Sequence, residues 1–216
     1  MNPILTLFQD ALSDGAELSL PLATRMILVV HGSAVIGGRA LDDGEAWHGE
    51  DTVTVRAGES GAALWRWELT DGPPAPASGE GARTVEALSA PLDTLPDGDL
   101  LLRGDTVAFP PGGCAYRHVH QGPGIRCLIE GGIRIDVHGR STAYAPGGAW
   151  FEAGPDPVFA QAAERASRFV RVMVLPRDLL GKSSISYVDE ADRERPKTQS
   201  YRILVDAPIA FRRTAP

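Results

Sequence analysis

Short apolar runs, separated by turns rich in glycine and proline, dominate the pattern along the chain. Residues 133–137, IRIDV, alternate apolar and polar side chains, as a strand with one buried face does. Residues 52–69 are typical of two strands joined by the turn GESG at 58–61. Few segments show the longer periodicity of an amphipathic helix. The pattern predicts an all-β chain made of many short antiparallel strands.

Three segments near the ends of the chain are less regular. Residues 3–12 fit either a short helix or a strand. Residues 189–199 are strongly polar and predict a surface turn or a short helix. Residues 200–211 alternate well enough to predict one more strand, which could pair across a subunit boundary.

The same order of strands and turns occurs twice. Residues 26–47 and 125–150 each contain an apolar strand, a glycine turn and a closing Gly-x-Ala-Trp, which ends at Trp47 or Trp150. The repeat distance is about 100 residues, as an internal duplication would give. Residues 70–82 are rich in proline, glycine and alanine and read as a linker. We therefore expect two domains, residues 1–82 and 83–216.

Composition excludes several classes of function. The net charge is −7 and the pI about 5.2, which disfavours binding to nucleic acid or to an anionic membrane surface. The start of the chain carries Asp10 and Asp14 and no basic region, unlike a signal peptide. No apolar run approaches the ~18 residues of a spanning helix. The sequence predicts a cytoplasmic protein with reduced thiols at Cys114 and Cys127.

The candidate chemistry lies at His118 and His120, which are one residue apart. Side chains alternate between the two faces of a strand, so residues i and i+2 point the same way. Two imidazoles on one strand can therefore occupy two neighbouring positions of a metal ion. Arg126 has the same parity if the strand is continuous, and it could bind a carboxylate substrate.

The segment 110–136 resembles the first conserved motif of the cupins. It has a glycine-rich lead-in, the pair His118 and His120, and an apolar strand that ends at Gly131. Residues 145–162 stand in the place of the second motif. The resemblance implies double-stranded β-helix, or jelly-roll, barrels. Because the first half lacks a His-x-His, it implies a degenerate first copy and a second copy that carries the site.

The chain departs from the cupin pattern at two of the four expected metal ligands. The usual glutamate position falls at Gly124, and the usual third histidine is absent near Pro157. Glu152 is the best replacement, and Gln121, Tyr116 and Asp156 are weaker ones. Two histidines and one carboxylate would suit Fe(II), and would tolerate Mn, Ni or Zn.

Three interpretations of the histidine pair remain open at this point. The pair could bind a divalent metal, serve as an acid/base or hydrogen-bonding element in a metal-free pocket, or be a structural remnant. The leading hypothesis is a metal-dependent cupin enzyme of dioxygenase, isomerase or lyase type. The alternative is a non-catalytic cupin that binds or senses a small molecule and has lost the metal site. Arg126, Tyr116 and Gln121 are the predicted contacts to a small-molecule ligand. By analogy with the family, we expect a homodimer.

Overall fold

The structure of the protein is a computed structural model that describes residues 2–211. The chain divides into two compact units. Of the described residues, unit 1 comprises residues 2–93 and 209–211, and unit 2 is Thr94–Pro208. Almost every element is a strand, which confirms the all-β prediction. Across residues 2–211, no helix has the length and hydropathy that crossing a membrane requires.

Unit 1 is a seven-stranded antiparallel sheet with the order β4-β3-β6-β1-β7, in which β2 pairs with β6 and β5 with β3. Its interior is filled by apolar side chains from several strands, among them Leu18, Ile27, Ile36 and Val55. The strands are β1 (Pro3–Leu12), β2 (Glu17–Leu20), β3 (Thr24–Ile36), β4 (Arg39–Asp42), β5 (Ala46–Gly49), β6 (Val53–Asp71) and β7 (Ala82–Pro91).

Unit 2 contains two five-stranded sheets with the orders β13-β10-β15-β8-β17 and β12-β11-β14-β9-β16. Buried residues of both sheets form one apolar cluster, as in a β-sandwich. A short 3-10 helix, Arg177–Leu179, and α1, Glu190–Glu194, lie between β15 and β17. The strands are β8 (Leu100–Phe109), β9 (Cys114–His120), β10 (Gly124–Glu130), β11 (Ile133–Val137), β12 (Arg140–Tyr144), β13 (Ala149–Glu152), β14 (Val158–Ala162), β15 (Ser167–Pro176), β16 (Ile185–Tyr187) and β17 (Ser200–Ile209).

The boundary between the units differs from the one expected at residue 82. Strand β7 starts there and pairs with β1 along its length, from Leu12↔Ala82 to Ile4↔Pro91, so it belongs to unit 1. The segment expected to be a linker is a loop of that unit, since Ser78 exchanges backbone hydrogen bonds of 2.8 and 3.2 Å with Ser19. Proline and glycine here mark a turn within a unit, and the chain passes to unit 2 after Asp93.

The two units share a strand order and a turn. The order β5-β3-β6-β1-β7 in unit 1 corresponds to β13-β10-β15-β8-β17 in unit 2. In each Gly-x-Ala-Trp turn the glycine amide donates to the preceding apolar strand: Gly44 to the Val29 carbonyl at 2.8 Å, and Gly147 to the Leu128 carbonyl at 2.8 Å. The repeated sequence signature therefore corresponds to a repeated hydrogen-bond pattern.

Gly131 closes the turn between β10 and β11 in a conformation that requires glycine. Its φ is +80°, and a Cβ atom there would lie 2.2 Å from the carbonyl oxygen of Ala166. Gly139, in the next turn, has φ +71° and no neighbour within 4 Å of a Cβ. The two positions thus share the left-handed backbone and differ in the clash.

We predict that Gly131→Ala destabilises the protein more than Gly139→Ala. The positive φ alone should cost about 1 kcal/mol at Gly139. The added steric conflict should raise the cost at Gly131 to about 2–4 kcal/mol. Denaturant unfolding of both variants measures the difference, and equal losses would contradict the close approach to Ala166.

Candidate functional site

His118 and His120 lie side by side inside unit 2, at 5% and 4% exposure. Their Nε2 atoms are 3.2 Å apart. His118 Nδ1 is 2.6 Å from the carbonyl oxygen of Tyr116. Because a carbonyl only accepts, Nδ1 must donate, so the neutral ring presents the lone pair of Nε2 to its neighbour. Both histidines point to the same side of β9, as predicted.

The distance between the two nitrogens fits a shared metal ion. Histidine nitrogens bind transition metals at about 2.0–2.1 Å, so two ligands at right angles on one ion lie about 3 Å apart. The same distance also lets His120 Nε2–H donate to His118 Nε2 when no metal is bound. The pair is therefore compatible with either state.

Glu152, at the end of β13, supplies a carboxylate next to the histidines. Its Oε2 atom is 3.4 Å from His120 Nε2. Its Oε1 atom accepts a 2.8 Å hydrogen bond from the indole nitrogen of Trp150, and that ring stacks on Tyr144 with 4.8 Å between centroids. Trp150, stacked on Tyr144, thus fixes one carboxylate oxygen, and the other oxygen lies beside the imidazole of His120.

Gly124 is the direct cross-strand partner of Glu152. A Cβ atom at Gly124 would lie 2.4 Å from the carbonyl oxygen of Val172 and 2.8 Å from Met173 Cγ. No larger residue fits there without a shift of the backbone. In this part of the sheet the inward carboxylate comes from β13, one strand away from the position expected from the cupin pattern.

Arg126 is buried beside Glu152, at 1% exposure. Its Nη1 donates to the Gly124 carbonyl at 2.6 Å, and its Nη2 lies 2.7 Å from Glu152 Oε2. Despite this short distance, neither Nη2 nor Oε2 makes a hydrogen bond of good geometry, and neither does the buried Nδ1 atom of His120. Buried polar atoms without partners are rare in folded proteins. Three such atoms lie together here, and two of them face each other as an ion pair.

Arg171 and Asp105 form a second buried pair in the same place. Arg171 Nε is 2.6 Å from Asp105 Oδ1, and Nη2 is 3.0 Å from Oδ2. The guanidinium lies over the ring of Tyr201, 5.3 Å from its centroid. Our sequence interpretation missed these residues. The available signal was the presence of charged residues inside two apolar strands, β15 and β8.

The cavity between these side chains has a volume of about 20 Å³, enough for about one water molecule. Apolar residues of the unit 2 core line one part of it. A single metal ion fits this volume, and an organic ligand requires the cavity to widen. The polar lining consists of His118, His120, Arg126, Glu152, Arg171 and Tyr201.

Tyr116 and Gln121, predicted to contact the ligand, do not line this cavity. A bulge in β9 explains Tyr116: His118 is opposite Val158, but Ala115 is opposite Ala160, so β9 has one extra residue. The alternation shifts, and Ala115 faces the cavity in its place. Gln121 follows the end of β9 and is exposed.

The ring of Tyr116 lies instead near two basic side chains, 5.1 Å from the guanidinium of Arg195 and 5.5 Å from Lys197 Nζ. Asp156, a weaker candidate for a ligand, is 3.2 Å from the exposed His138 and is also absent from the cavity lining. Arg126 does line it, and its role in ligand binding stays a prediction.

Among residues 2–211, no group of three or more His, Cys, Asp or Glu side chains is arranged to hold a metal ion. The two imidazoles have the required spacing. The carboxylate of Glu152 lies within reach, but Arg126 occupies its Oε2 atom. Two of the donors therefore have the spacing for a metal ion, and the carboxylate would complete the set only if Arg126 released it.

Burial keeps both histidines neutral. Desolvation lowers the pKa of His118 and more than offsets the nearby charge of Glu152. The pKa of His120 lies well below its usual value of 6.5, because the ring is buried and because Arg126 and Arg171 are close. Neutral imidazoles are the form that binds a metal or accepts a proton.

These shifts predict how the stability of the metal-free protein depends on pH. Below about pH 6.5 the histidines of the unfolded chain become protonated, while the buried histidines of the folded protein stay neutral. The free energy of unfolding is therefore largest above that pH and falls as the pH drops toward the folded-state pKa values. The double variant His118→Asn/His120→Asn should lose less stability between about pH 7.5 and 5.5. Denaturant unfolding at both pH values measures this, and an unchanged slope in the variant would contradict it.

No protein-family model and no curated protein matches the chain. Solved structures do. A two-residue deletion mutant of oxalate decarboxylase from Bacillus subtilis has a TM-score of 0.63 and 13% identity over 88% of this chain and 73% of that chain. A second mutant of that enzyme gives 0.60 and 13%, with the same coverage. A third structure, from work on the Mn(II) centres of the enzyme, gives 0.60 and 12%, again with that coverage.

At 12–13% identity this likeness concerns the fold. The chain shares with these structures an architecture built of antiparallel β-sheets.

Proposed function

We propose that unit 2 is a metal-binding cupin domain that binds or transforms a small molecule, with His118, His120 and Glu152 as its protein ligands. The observation that carries the proposal is the spacing of the three donor atoms, 3.2 Å between the imidazoles and 3.4 Å from His120 to the carboxylate. The three residues line a water-sized cavity, and Glu152 Oε2 faces Arg126 Nη2 at 2.7 Å without a hydrogen bond of good geometry.

In this proposal the carboxylate ligand has moved from β10 to β13. The register supports the exchange, because Glu152 is opposite Gly124. The close approach of the Val172 carbonyl excludes a side chain at Gly124. The hydrogen bond from Trp150 orients Glu152, as the groups around a metal commonly orient its ligands.

Two imidazoles and one carboxylate suit Fe(II) and the neighbouring divalent ions Mn, Ni and Zn. Mn(II) is the first ion to test, since the structurally similar Bacillus enzyme has Mn(II) centres. When bound, such an ion supplies Lewis-acid polarisation of a substrate oxygen or, as Fe, oxygen chemistry. The protein then contributes Arg126 and Arg171, two buried cations that favour an oxygen-rich or carboxylate ligand.

Unit 1 fits a degenerate cupin copy, which would make the chain a bicupin. The position that corresponds to Glu152, two residues after the tryptophan of the repeat, is Gly49 in unit 1, opposite Arg25. Unit 1 therefore has no carboxylate there. Strand β2 contains no histidine, and apolar side chains fill the interior of the unit. We propose a structural role for this copy. A homodimer and a cytoplasmic location stay predictions.

A metal-free binding or sensing cupin is the second candidate. It is favoured by the contact of Arg126 with Glu152, which balances both buried charges with no metal present. In this case the neutral histidines would donate and accept hydrogen bonds to a ligand directly. Metal analysis separates the two candidates.

We predict that the purified protein binds about one divalent metal per unit 2 and that His118→Ala/His120→Ala abolishes binding. Metal that binds only the folded state adds stability, about 2.7 kcal/mol at a free concentration of about 100 Kd. The melting temperature should therefore rise with Mn(II) in the parent protein and not in the double variant. Elemental analysis and thermal unfolding measure both effects.

Glu152→Gln should weaken metal retention, because a neutral amide is a poorer ligand for a hard cation than a carboxylate. His138→Ala serves as the matched control, since that histidine is exposed and paired with Asp156 outside the cavity. Unaltered retention in Glu152→Gln would remove it from the ligand set. No metal and no thermal shift in the parent protein would favour the metal-free candidate.

A further inference from the structure

The contact between Arg126 and Glu152 differs from the other buried ion pairs of the protein. In unit 1, Arg66 Nε donates to Asp10 Oδ2 at 2.8 Å, its Nη2 to Oδ1 at 3.1 Å, and its Nη1 lies 2.8 Å from a Glu68 oxygen. None of the fully buried side-chain polar atoms of these three residues lacks a hydrogen bond. They form a closed network, as a structural ion pair does.

In unit 2, the pair of Arg171 and Asp105 is closed in the same way, with two hydrogen bonds of 2.6 and 3.0 Å. Arg126 and Glu152 approach to 2.7 Å, yet the two facing atoms, Nη2 and Oε2, make no hydrogen bond of good geometry. Arg126 is anchored elsewhere, through Nη1 on the Gly124 carbonyl. That hydrogen bond does not involve the carboxylate, so it can hold the guanidinium whether or not Glu152 is in contact.

We infer that Arg126 is an internal counter-cation for Glu152, which neutralises the carboxylate when no metal is present and competes with the metal for Oε2. The inference rests on the proposed function, since it assigns to this chain a residue that sets the affinity of that metal site. Arg126 is a positioning residue, because it acts through Glu152.

Charge accounts for the direction of the effect. Arg126 and Arg171 are both buried cations in the cavity, and Glu152 and Asp105 are the anions that face them. With neutral histidines the four charges sum to zero, so a divalent ion enters beside a guanidinium that repels it. An unpaired buried carboxylate would attract that ion much more strongly.

The test is a titration of the metal-free protein with Mn(II), followed by calorimetry and by thermal unfolding, for the parent chain and for Arg126→Gln. We expect Arg126→Gln to bind Mn(II) about tenfold more tightly or better, because it removes the competing charge. Its metal-free form should also melt at a lower temperature, because it leaves Glu152 buried without a partner.

Arg171→Gln/Asp105→Asn is the matched control, since it removes one buried arginine from the cavity together with the carboxylate that pairs with it and leaves the contact between Arg126 and Glu152 intact. It should tighten Mn(II) binding by less than Arg126→Gln does. In the Glu152→Gln background, Arg126→Gln should change the affinity by less than about threefold, because the two side chains act on one interaction.

The outcomes separate this inference from the proposed function. If the parent binds Mn(II) and Arg126→Gln binds it no more tightly, the inference alone is wrong. If only Arg126→Gln binds, the inference holds and the parent is not a metal protein; if neither binds, both fail.

Should Arg126→Gln not fold alone, Mn(II) should restore folding, and Arg126→Gln/Glu152→Gln should fold without metal. A single variant that stays unfolded with Mn(II), beside a folded double variant, would overturn the inference.

Discussion

The register between β10 and β13 is the constraint on which the candidate site depends. It sets Glu152 opposite Gly124 and so brings a carboxylate to the histidines of β9 from a strand in the other sheet. The facing position must be glycine, because a side chain there would collide with the Val172 carbonyl oxygen. Backbone hydrogen bonding thus decides which residue reaches the cavity.

The second constraint is the cost of burying charge. In the described part of unit 2, every buried arginine has a carboxylate within 3.0 Å; these arginines are Arg103, Arg126 and Arg171. The pairing is required because an unpaired charge in the interior is strongly unfavourable. The same requirement operates between the strands of unit 1, where the buried arginines and carboxylates form a closed ionic network. In unit 2 it produces a site whose charges balance before any ligand arrives.

The sequence carried enough information for the class of fold and for the orientation of the histidine pair. Alternation along short strands and the turn glycines are local features, and the repeat with its Gly-x-Ala-Trp signature follows from them. Tyr116 could not be placed, because the bulge in β9 depends on pairing with β14. Arg171 and Asp105 were missed because only the pairing of β8 with β15 brings them face to face.

The bulge in β9 also limits what the motif can say about other chains. The side on which His118 and His120 project is set by one additional residue between Ala115 and His118. In a chain that kept both histidines but lost that residue, either the histidine pair or the residue at the position of Ala115 would face solvent. Insertions and deletions in these few positions would therefore decide whether a homologous histidine pair forms a buried site. A sequence alignment must place any gap in this segment correctly before a site is assigned to the histidines of another chain.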